Sequence, residues 1–243
     1  EPALSYIKAA LRRGKDVVTA NKAPIALSLK ELSIIAAKTG SELRFESTVM
    51  DGTPLFSIFR DSMPPVRIRR MRGILNSTSN IVLDALNEKR SLKEGLARAE
   101  SLGLTESDPA LDLEGKDSAA KLTILGNAIN DAGIRMDQVL TQPLTEQNYL
   151  AVKRMSTSKG SGAIIRQVSV ADFDKKFYRV SLEAVKQEDL LYSCAGSSNL
   201  ISFSLDLFSE LIIASRNPTI RDTAFGIFSD LVDLQKRAGA RPL

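Results

Sequence analysis

The sequence predicts an α/β protein with an incomplete parallel sheet at its amino end and an α+β region containing a mixed sheet after it. Helical and strand patterns alternate at short spacing from residue 2 to residue 49, as in consecutive units of a parallel sheet. From residue 162 onward, apolar and polar residues alternate in pairs of segments, which is typical of antiparallel strands.

The amino-terminal elements follow from apolar spacing and from the residues that end helices. Residues 2–13 have helical apolar spacing, and residues 16–19 are predicted to form a short β-branched strand. Pro24 suits the first turn of a helix that Gly40 ends, and residues 42–49 are predicted to be the second strand.

The middle of the chain is defined by caps and turns. Residues 55–63 are predicted to be helical and residues 66–76 to be a strand, whose arginines suit a solvated face or a nucleic acid. The NSTSN cluster at 76–80 predicts a helix cap, with a polar ligand as the alternative. Ser91 and Glu94 have the spacing of a capping box at the start of a further helix.

The remaining elements are predicted from periodicity. They are a helix over 116–129, strands over 162–171, 178–186, 199–206 and 210–214, and a last amphipathic helix over 221–237.

Composition limits the classes of protein that the chain can represent. It has 243 residues, 43% of them apolar, so it can bury a substantial core in one large or two modest domains. No apolar run approaches the roughly 18 residues of a membrane span, and no signal-peptide order opens the chain. We therefore expect a cytoplasmic protein with no membrane partner. The net charge of +4 suits an anionic ligand as well as a nucleic acid.

The chain contains no histidine, which restricts the chemistry available to it. Zinc motifs of metalloproteases, triads with an imidazole and histidine-ligated iron sites are all excluded. Acid–base work must fall to Lys, Asp, Glu or Tyr. The one cysteine, Cys194, is either a buried thiol or a nucleophile.

An acidic stretch at residues 103–125 precedes and enters the helix predicted from residue 116. Its carboxylates do not fit a calcium loop, because Ala110 occupies the position of the first ligand, although a looser Mg²⁺ site stays open. Asp117 and Lys121 are four residues apart and share one helix face. On spacing alone they form either an ordinary exposed ion pair or a site.

Four stretches together resemble the homoserine dehydrogenase family: VVTANKAP at 17–24, ESTVMDGTP at 46–54, GILNSTSN at 73–80 and LGLTESDPALDLEGKDSAAKLTIL at 102–125. The resemblance implies a partial Rossmann-type nucleotide-binding domain over 1–50, joined by the carboxy-terminal helix 219–243. It assigns 51–218 to an α+β catalytic and dimerisation domain.

The resemblance also implies an activity. The family transfers a hydride between NAD or NADP and L-homoserine or L-aspartate 4-semialdehyde, in threonine and methionine biosynthesis. A small-molecule substrate, a homodimer, Na⁺ or K⁺, and no nucleic acid are expected with it.

Residue roles are implied position by position. The catalytic positions are Lys121, which matches the proton donor, and Lys22. The substrate positions are Glu106, Asp112 and Asp117. The cofactor positions are Thr19, Asn21, Lys22 and Gly103, and the monovalent-cation positions are Glu46, Val49, Asp51 and Thr53.

Three features depart from the family pattern. No GxGxxG occurs, Ser77 replaces the glycine of the N-G-T-x-N motif, and SRNPTIRD at 215–222 stands where a G-P-G-A-G loop is expected. The first and third concern the cofactor, so the alternative is a non-catalytic homologue that acts as a substrate-binding or assembly module. The choice between NAD and NADP stays open.

Overall fold

The computed structural model describes residues 2–104, 108–157 and 162–240. Packing divides the chain into two units. The first comprises residues 1–66, 123–136 and 218–243, and the second comprises residues 67–122 and 137–217. Each unit has its own sheet, one parallel and one mixed, so the predicted fold class is confirmed.

The helices and strands of the described residues are numbered in chain order. The helices are α1 (Pro2–Arg12), α2 (Lys22–Thr39), α3 (Ser77–Asn87), α4 (Leu92–Ser101), α5 (Ala110–Leu113), α6 (Lys116–Asn130), α7 (Glu146–Thr157) and α8 (Ile220–Ala240). The strands are β1 (Val17–Val18), β2 (Leu43–Arg44), β3 (Ile68–Ile74), β4 (Leu140–Thr141), β5 (Ile164–Asp172), β6 (Phe177–Val185), β7 (Asn199–Leu205) and β8 (Glu210–Ser215).

The first unit is built on two short parallel strands, β1 and β2, as the alternation of helix and strand predicts. Asn21 caps α2, since its side-chain oxygen accepts the N–H of Ala23 at 3.2 Å. Gly40 ends the same helix in the left-handed conformation, with φ at 69°, and this confirms its predicted role.

The strand predicted over 42–49 is wrong beyond Arg44. Only Leu43–Arg44 pairs with β1, and the chain turns into a 3₁₀-helix at Glu46–Thr48. The cause is tertiary: the buried Glu46 carboxylate accepts three backbone N–H groups, from Leu55, Phe56 and Ser57, at 2.5, 2.6 and 2.9 Å. These charge-assisted bonds outweigh the strand propensity of the segment.

The predicted helix over 55–63 is observed as a π-helix, Ile58–Ser62. The N–H of Met63 donates to the carbonyl of Ile58 at 2.9 Å, five residues back. The wider turn buries Phe59 and brings Arg60 to 3.3 Å from Asp233 on α8.

The second unit contains a six-stranded sheet in the order β4-β6-β5-β3-β7-β8. All its neighbours are antiparallel except β4 and β6, so the sheet is mixed. The four strands predicted after residue 162 are confirmed, whereas β4, α5 and α7 were not predicted.

Two apolar clusters hold this sheet. One joins α3, α7 and the sheet through Val82, Leu83, Leu86, Leu144, Tyr149, Ile165 and Leu182. The other contains Ile74, Val168, Val185, Leu191, Cys194 and Leu200. Within the described ranges, no helix combines the length and apolarity needed to cross a membrane.

Candidate active site

Lys121 and Asp117 lie one turn apart near the start of α6, with their charged groups 3.4 Å apart. Their side chains are only 14% and 9% exposed, so the pair is largely buried rather than an ordinary surface pair. The Lys121 ammonium also donates to the backbone carbonyl of Leu75 at 2.6 Å. An ammonium taken this far from water needs such partners, because desolvation penalises an unpaired charge.

Asn76 connects this pair to a second carboxylate. Its side-chain nitrogen donates to Asp112 on α5 at 2.6 Å and to Asp117 on α6 at 2.9 Å. Its side-chain oxygen accepts the N–H of Ser79 at 2.7 Å, which makes Asn76 the N-cap of α3. The predicted cap at 76–80 is therefore confirmed, and the same amide also reaches the acidic residues.

Gln167 on β5 ties the starts of α3 and α6 to the sheet. Its side-chain oxygen lies 3.0 Å from the hydroxyl of Ser79 and 3.2 Å from that of Ser118, and all three residues are buried. Ser79 follows Asn76 by three positions and Ser118 follows Asp117 by one. The sheet thus fixes both helix starts that carry the polar groups.

A buried ion pair holds the other side of α3. Arg166 on β5 bonds to Asp84 and, at 3.0 Å, to the side chain of Asn80. Asp84 also accepts the N–H of Gly196 at 2.7 Å. Arg166 is 2% exposed, and we assign its buried guanidinium a structural role, because its partners Asp84 and Asn80 connect α3 to the sheet.

The structure brings three of the predicted residues together: Lys121, Asp117 and Asp112 belong to one hydrogen-bonded group with Asn76. Glu106 lies outside the described residues. Neither the Leu75 carbonyl nor Gln167 was predicted, since a backbone acceptor and a distant strand residue have no spacing pattern. Asn76 did carry a signal, as the first residue of the NSTSN cluster.

The predicted cofactor residues Thr19, Asn21 and Lys22 lie in the first unit, where β1 leads into α2. The Thr19 hydroxyl accepts the N–H of Asn21 at 3.0 Å, so this turn is ordered by its own side chains. Gly103 lies in the second unit at the end of α4, with φ at 67°. A Cβ there would meet nothing within 4 Å, so Gly103 is explained by its backbone conformation.

The predicted cation positions also lie in the first unit, around the 3₁₀-helix that contains Glu46. The Glu46 carboxylate is occupied by three N–H groups, and Val49 is buried. Asp51 has a φ of 55°, and the N–H of Thr53 donates to the carbonyl of Met50 at 3.0 Å. No group of three or more His, Cys, Asp or Glu side chains suited to a metal occurs among the described residues.

Cys194 is not suited to act as a nucleophile. Burial raises the pKa of its thiol to about 11, and the thiol lies 3.3 Å from the carbonyl of Ser198. Because the thiolate is the reactive form, a pKa this high favours the prediction of a buried structural thiol.

The Lys121 ammonium and the carboxylates beside it can bind a ligand and exchange a proton with it. The Lys121 ammonium carries three N–H groups, and the described residues account for two of them. The third can reach an oxygen atom of a ligand. Fixed carboxylates beside it can bind a ligand ammonium, so the group suits an amino-bearing molecule whose oxygen gains or loses a proton.

Comparison with known proteins agrees with this chemistry. The "Homoserine dehydrogenase" family model matches residues 54–232. A homoserine dehydrogenase of Sulfurisphaera tokodaii is 33% identical over 236 residues, which are 97% of this chain and 73% of that protein. An NAD(+)-dependent homoserine dehydrogenase of Pseudomonas canavaninivorans is 29% identical, over 98% of this chain and 68% of that protein.

A solved structure gives the same result for the fold. A hyperthermophilic archaeal homoserine dehydrogenase in complex with NADPH superposes with a TM-score of 0.81 at 26% identity, over 97% of this chain and 69% of that one. A lysine ammonium that can exchange a proton with a ligand oxygen suits an oxidoreductase that acts on a carbonyl or hydroxyl group. The chain belongs to the homoserine dehydrogenase family.

Proposed function

We propose that this protein catalyses hydride transfer between NAD or NADP and L-homoserine or L-aspartate 4-semialdehyde, in threonine and methionine biosynthesis in the cytoplasm. The observation that carries the proposal is the buried Lys121 ammonium, held by Asp117 and the Leu75 carbonyl beside a second carboxylate. A lysine ammonium can give up a proton, unlike the buried Arg166 guanidinium, so its place beside the carboxylates favours catalysis over substrate binding alone.

Lys121 is the proton-transfer residue in this proposal. Reduction of an aldehyde builds negative charge on its oxygen, and an ammonium within hydrogen-bond reach stabilises that charge and gives up a proton. In the oxidation of homoserine the hydroxyl proton returns to the same nitrogen. The bond to Leu75 keeps the ammonium in place without consuming all of its N–H groups.

Asp112 and Asp117 bind the amino and hydroxyl ends of homoserine in this proposal. Both are fixed by the amide of Asn76, so their oxygens are oriented before the substrate arrives. Asp117 also belongs to the first turn of α6, where the helix dipole stabilises a negative charge. Glu106 is proposed as a third acidic ligand because it matches the family motif.

The nicotinamide cofactor would supply or accept the hydride when bound. Thr19, Asn21 and Lys22 are the proposed contacts in the first unit, and Gly103 is assigned from the family motif. The turn at Asn21 supports this assignment, since it follows the parallel strand β1 and opens α2, whose backbone is kinked at Ser28. Lys22 adds a second cation and is the other proposed catalytic residue.

The proposed domain roles follow from these assignments of cofactor and substrate residues. Residues 1–50, with the carboxy-terminal helix 219–243, are proposed to be part of the nucleotide-binding domain. Residues 51–218 are proposed to be the catalytic and dimerisation domain. The parallel pairing of β1 with β2 supports the first assignment, and the Lys121 group supports the second.

A bound Na⁺ or K⁺ is proposed at Glu46, Val49, Asp51 and Thr53. The Glu46 side chain already accepts three backbone N–H groups. Ligation therefore falls mainly to backbone carbonyl groups of the irregular segment 49–53, which lies outside the helices and strands of the described chain. Carbonyl oxygens are suitable ligands for such cations.

A homodimer is proposed through the β8 edge of the six-stranded sheet. β8 is the last strand in the sheet order, and Ile212 on it is exposed. The adjoining turn exposes Leu207 and Phe208, which are large and apolar. An apolar edge strand of this kind is a site for pairing with another chain.

The test of the proposed activity is the change in nicotinamide absorbance when the full-length protein is mixed with L-homoserine and NAD or NADP. We expect reduction of at least one cofactor, and faster turnover in Na⁺ or K⁺ than in a bulky organic cation. L-Serine and L-threonine are the matched alternative substrates. Homoserine binding without turnover under every condition would favour the non-catalytic alternative.

A further inference from the structure

The amide of Asn76 has a role beyond capping α3. Its oxygen is used by the N–H of Ser79, at 2.7 Å, which is the N-cap contact. Its nitrogen faces the other way and donates to Asp112 and Asp117, at 2.6 and 2.9 Å. An aspartate or a serine would cap the helix as well as asparagine does, so the cap alone does not call for an amide.

The donor count shows what the amide adds. An asparagine side chain carries two N–H donors and one acceptor oxygen, and both types of group are occupied here. The two donors lead to carboxylates of different helices, α5 and α6. One planar group therefore sets the spacing between the carboxylates and reduces the repulsion between their charges.

Asp117 shares its oxygen between two donors. The same atom, Oδ2, accepts from Asn76 at 2.9 Å and lies 3.4 Å from the Lys121 ammonium. The Asn76 bond therefore helps to orient Asp117, which lies beside the ammonium that the Leu75 carbonyl holds at 2.6 Å. Asn76 is itself 4% exposed and fixed by the start of α3, so it is a rigid reference point.

We infer that Asn76 is a positioning residue that holds Asp112 and Asp117 at the spacing needed to bind the ammonium-bearing substrate. The inference rests on the proposed homoserine dehydrogenase activity and extends it to a residue that acts through the two carboxylates. Asn76 acts on binding of the amino-acid substrate, and binding of the nicotinamide cofactor is independent of it.

The test compares three variants of the full-length protein. Asn76→Asp keeps the capping oxygen but replaces the amide donor by a third carboxylate. Asn76→Ser keeps a capping oxygen without a charge and shortens the side chain. Asn87→Asp is the matched control, because Asn87 lies at the other end of α3, bonded to the backbone of Ile165.

For Asn76→Asp we expect KM for homoserine to rise at least about tenfold, since a lost hydrogen bond to a charged group has an effect of this size. KM for the cofactor should stay within about twofold. As the pH falls, the new carboxyl group takes up a proton and can donate an O–H to its neighbours. Activity relative to the wild type should therefore recover towards low pH.

For Asn76→Ser we expect the same rise in KM without the recovery at low pH, and this variant also covers the case in which Asn76→Asp does not fold. Asn87→Asp should lower the thermal stability and leave KM and the pH profile unchanged. An unchanged KM in both Asn76 variants, or equal losses in Asn87→Asp, would overturn the inference. A wild-type protein without homoserine turnover would instead overturn the proposed function, and the inference with it.

Discussion

Asp230 on α8 has a buried carboxyl group whose surroundings disfavour ionisation. Burial raises the pKa of Asp230 to about 6, and the neighbouring Glu46 carboxylate adds to the rise. The backbone N–H of Glu46, together with Arg60 and Arg44, acts in the opposite direction. The folded protein therefore holds the proton of Asp230 more tightly than an unfolded chain does.

Asp230→Asn is expected to stabilise the protein at neutral pH. The pKa is raised on folding, so the contribution of Asp230 to stability is present below about pH 4 and is lost as the pH passes 6. An asparagine keeps an acceptor for the N–H of Glu46 without the charge. Its free energy of unfolding should exceed that of the wild type by up to about 2 kcal/mol near pH 7 and match it near pH 4.

Urea denaturation at several pH values measures this difference. Asp206→Asn is the control of opposite sign, because backbone N–H groups, first that of Arg67, lower the pKa of Asp206. That variant should lose stability at neutral pH relative to acid pH. A pH-independent effect of Asp230→Asn would contradict the assigned pKa.

Individual side chains at the site were predictable to different degrees. The spacing of Asp117 and Lys121 placed them on one helix face, which the structure confirms, but could not predict their burial. Burial depends on α3 and the sheet, which are remote in sequence, as well as on the adjacent α5. The cap function of Asn76 was predicted from residue type, whereas its contacts with Asp112 and Asp117 arise from tertiary packing.

At the scale of elements, Gln167 on β5 links the sheet to α3 and α6, the two helices whose starts carry site residues. Its oxygen accepts hydrogen bonds from the hydroxyl groups of Ser79 and Ser118. Its nitrogen has no hydrogen-bond partner within the described residues. The residue is 3% exposed. Its two contacts therefore operate without competition from water.

Gln167→Met is expected to lower the free energy of unfolding by about 2 kcal/mol, because it removes the acceptor of the buried Ser118 hydroxyl and leaves the Ser79 hydroxyl with only the Asn76 carbonyl, at 3.2 Å. The loss is moderated, since the unpartnered amide nitrogen disappears as well. Guanidinium denaturation measures it. Ser202→Ala, which removes an exposed contact with Glu210, should change stability by less than about 0.5 kcal/mol.

A Gln167→Met protein as stable as the wild type would show that α3 and α6 are held mainly by apolar packing. We expect its homoserine KM to rise together with the stability loss. The helix starts that carry Asn76 and Asp117 would then no longer be fixed to one strand.

Local signals predicted the elements they control and failed where distant residues intervene. The capping box of Ser91 and Glu94 and the end of α2 at Gly40 are set by neighbouring residues, and both are confirmed. The segment 42–49 has residues suited to a strand, but the Glu46 carboxylate binds the backbone N–H groups of Leu55 and Phe56, and the strand therefore ends early. No local pattern encodes a contact nine or more residues away.

At the scale of the whole molecule, the sheet of the second unit ends in an apolar edge, β8, whose outer side pairs with no other strand of the described residues. Ile212 on β8 and the turn residues Leu207 and Phe208 are exposed, whereas Leu200 at the far end of the neighbouring strand β7 is buried. A second copy of the chain is the proposed partner for this edge.

Leu207→Glu combined with Phe208→Glu is expected to yield a monomer, because two charges at the edge oppose association without disturbing the core. Light scattering after size-exclusion chromatography measures the mass. Leu150→Glu, at an exposed position on α7 of the same unit, is the control and should remain dimeric. An unchanged mass in the double variant would place the interface elsewhere.

The most direct test of the central claim is the turnover of Lys121→Met in the full-length protein. We expect kcat for homoserine oxidation to fall by about 10² to 10⁴, the range for loss of a general acid or base, with folding and cofactor affinity nearly unchanged. Lys116→Met, at an exposed lysine of the same helix, should retain wild-type turnover. Equal turnover in Lys121→Met and the wild type would contradict the assignment of Lys121 as the proton-transfer residue.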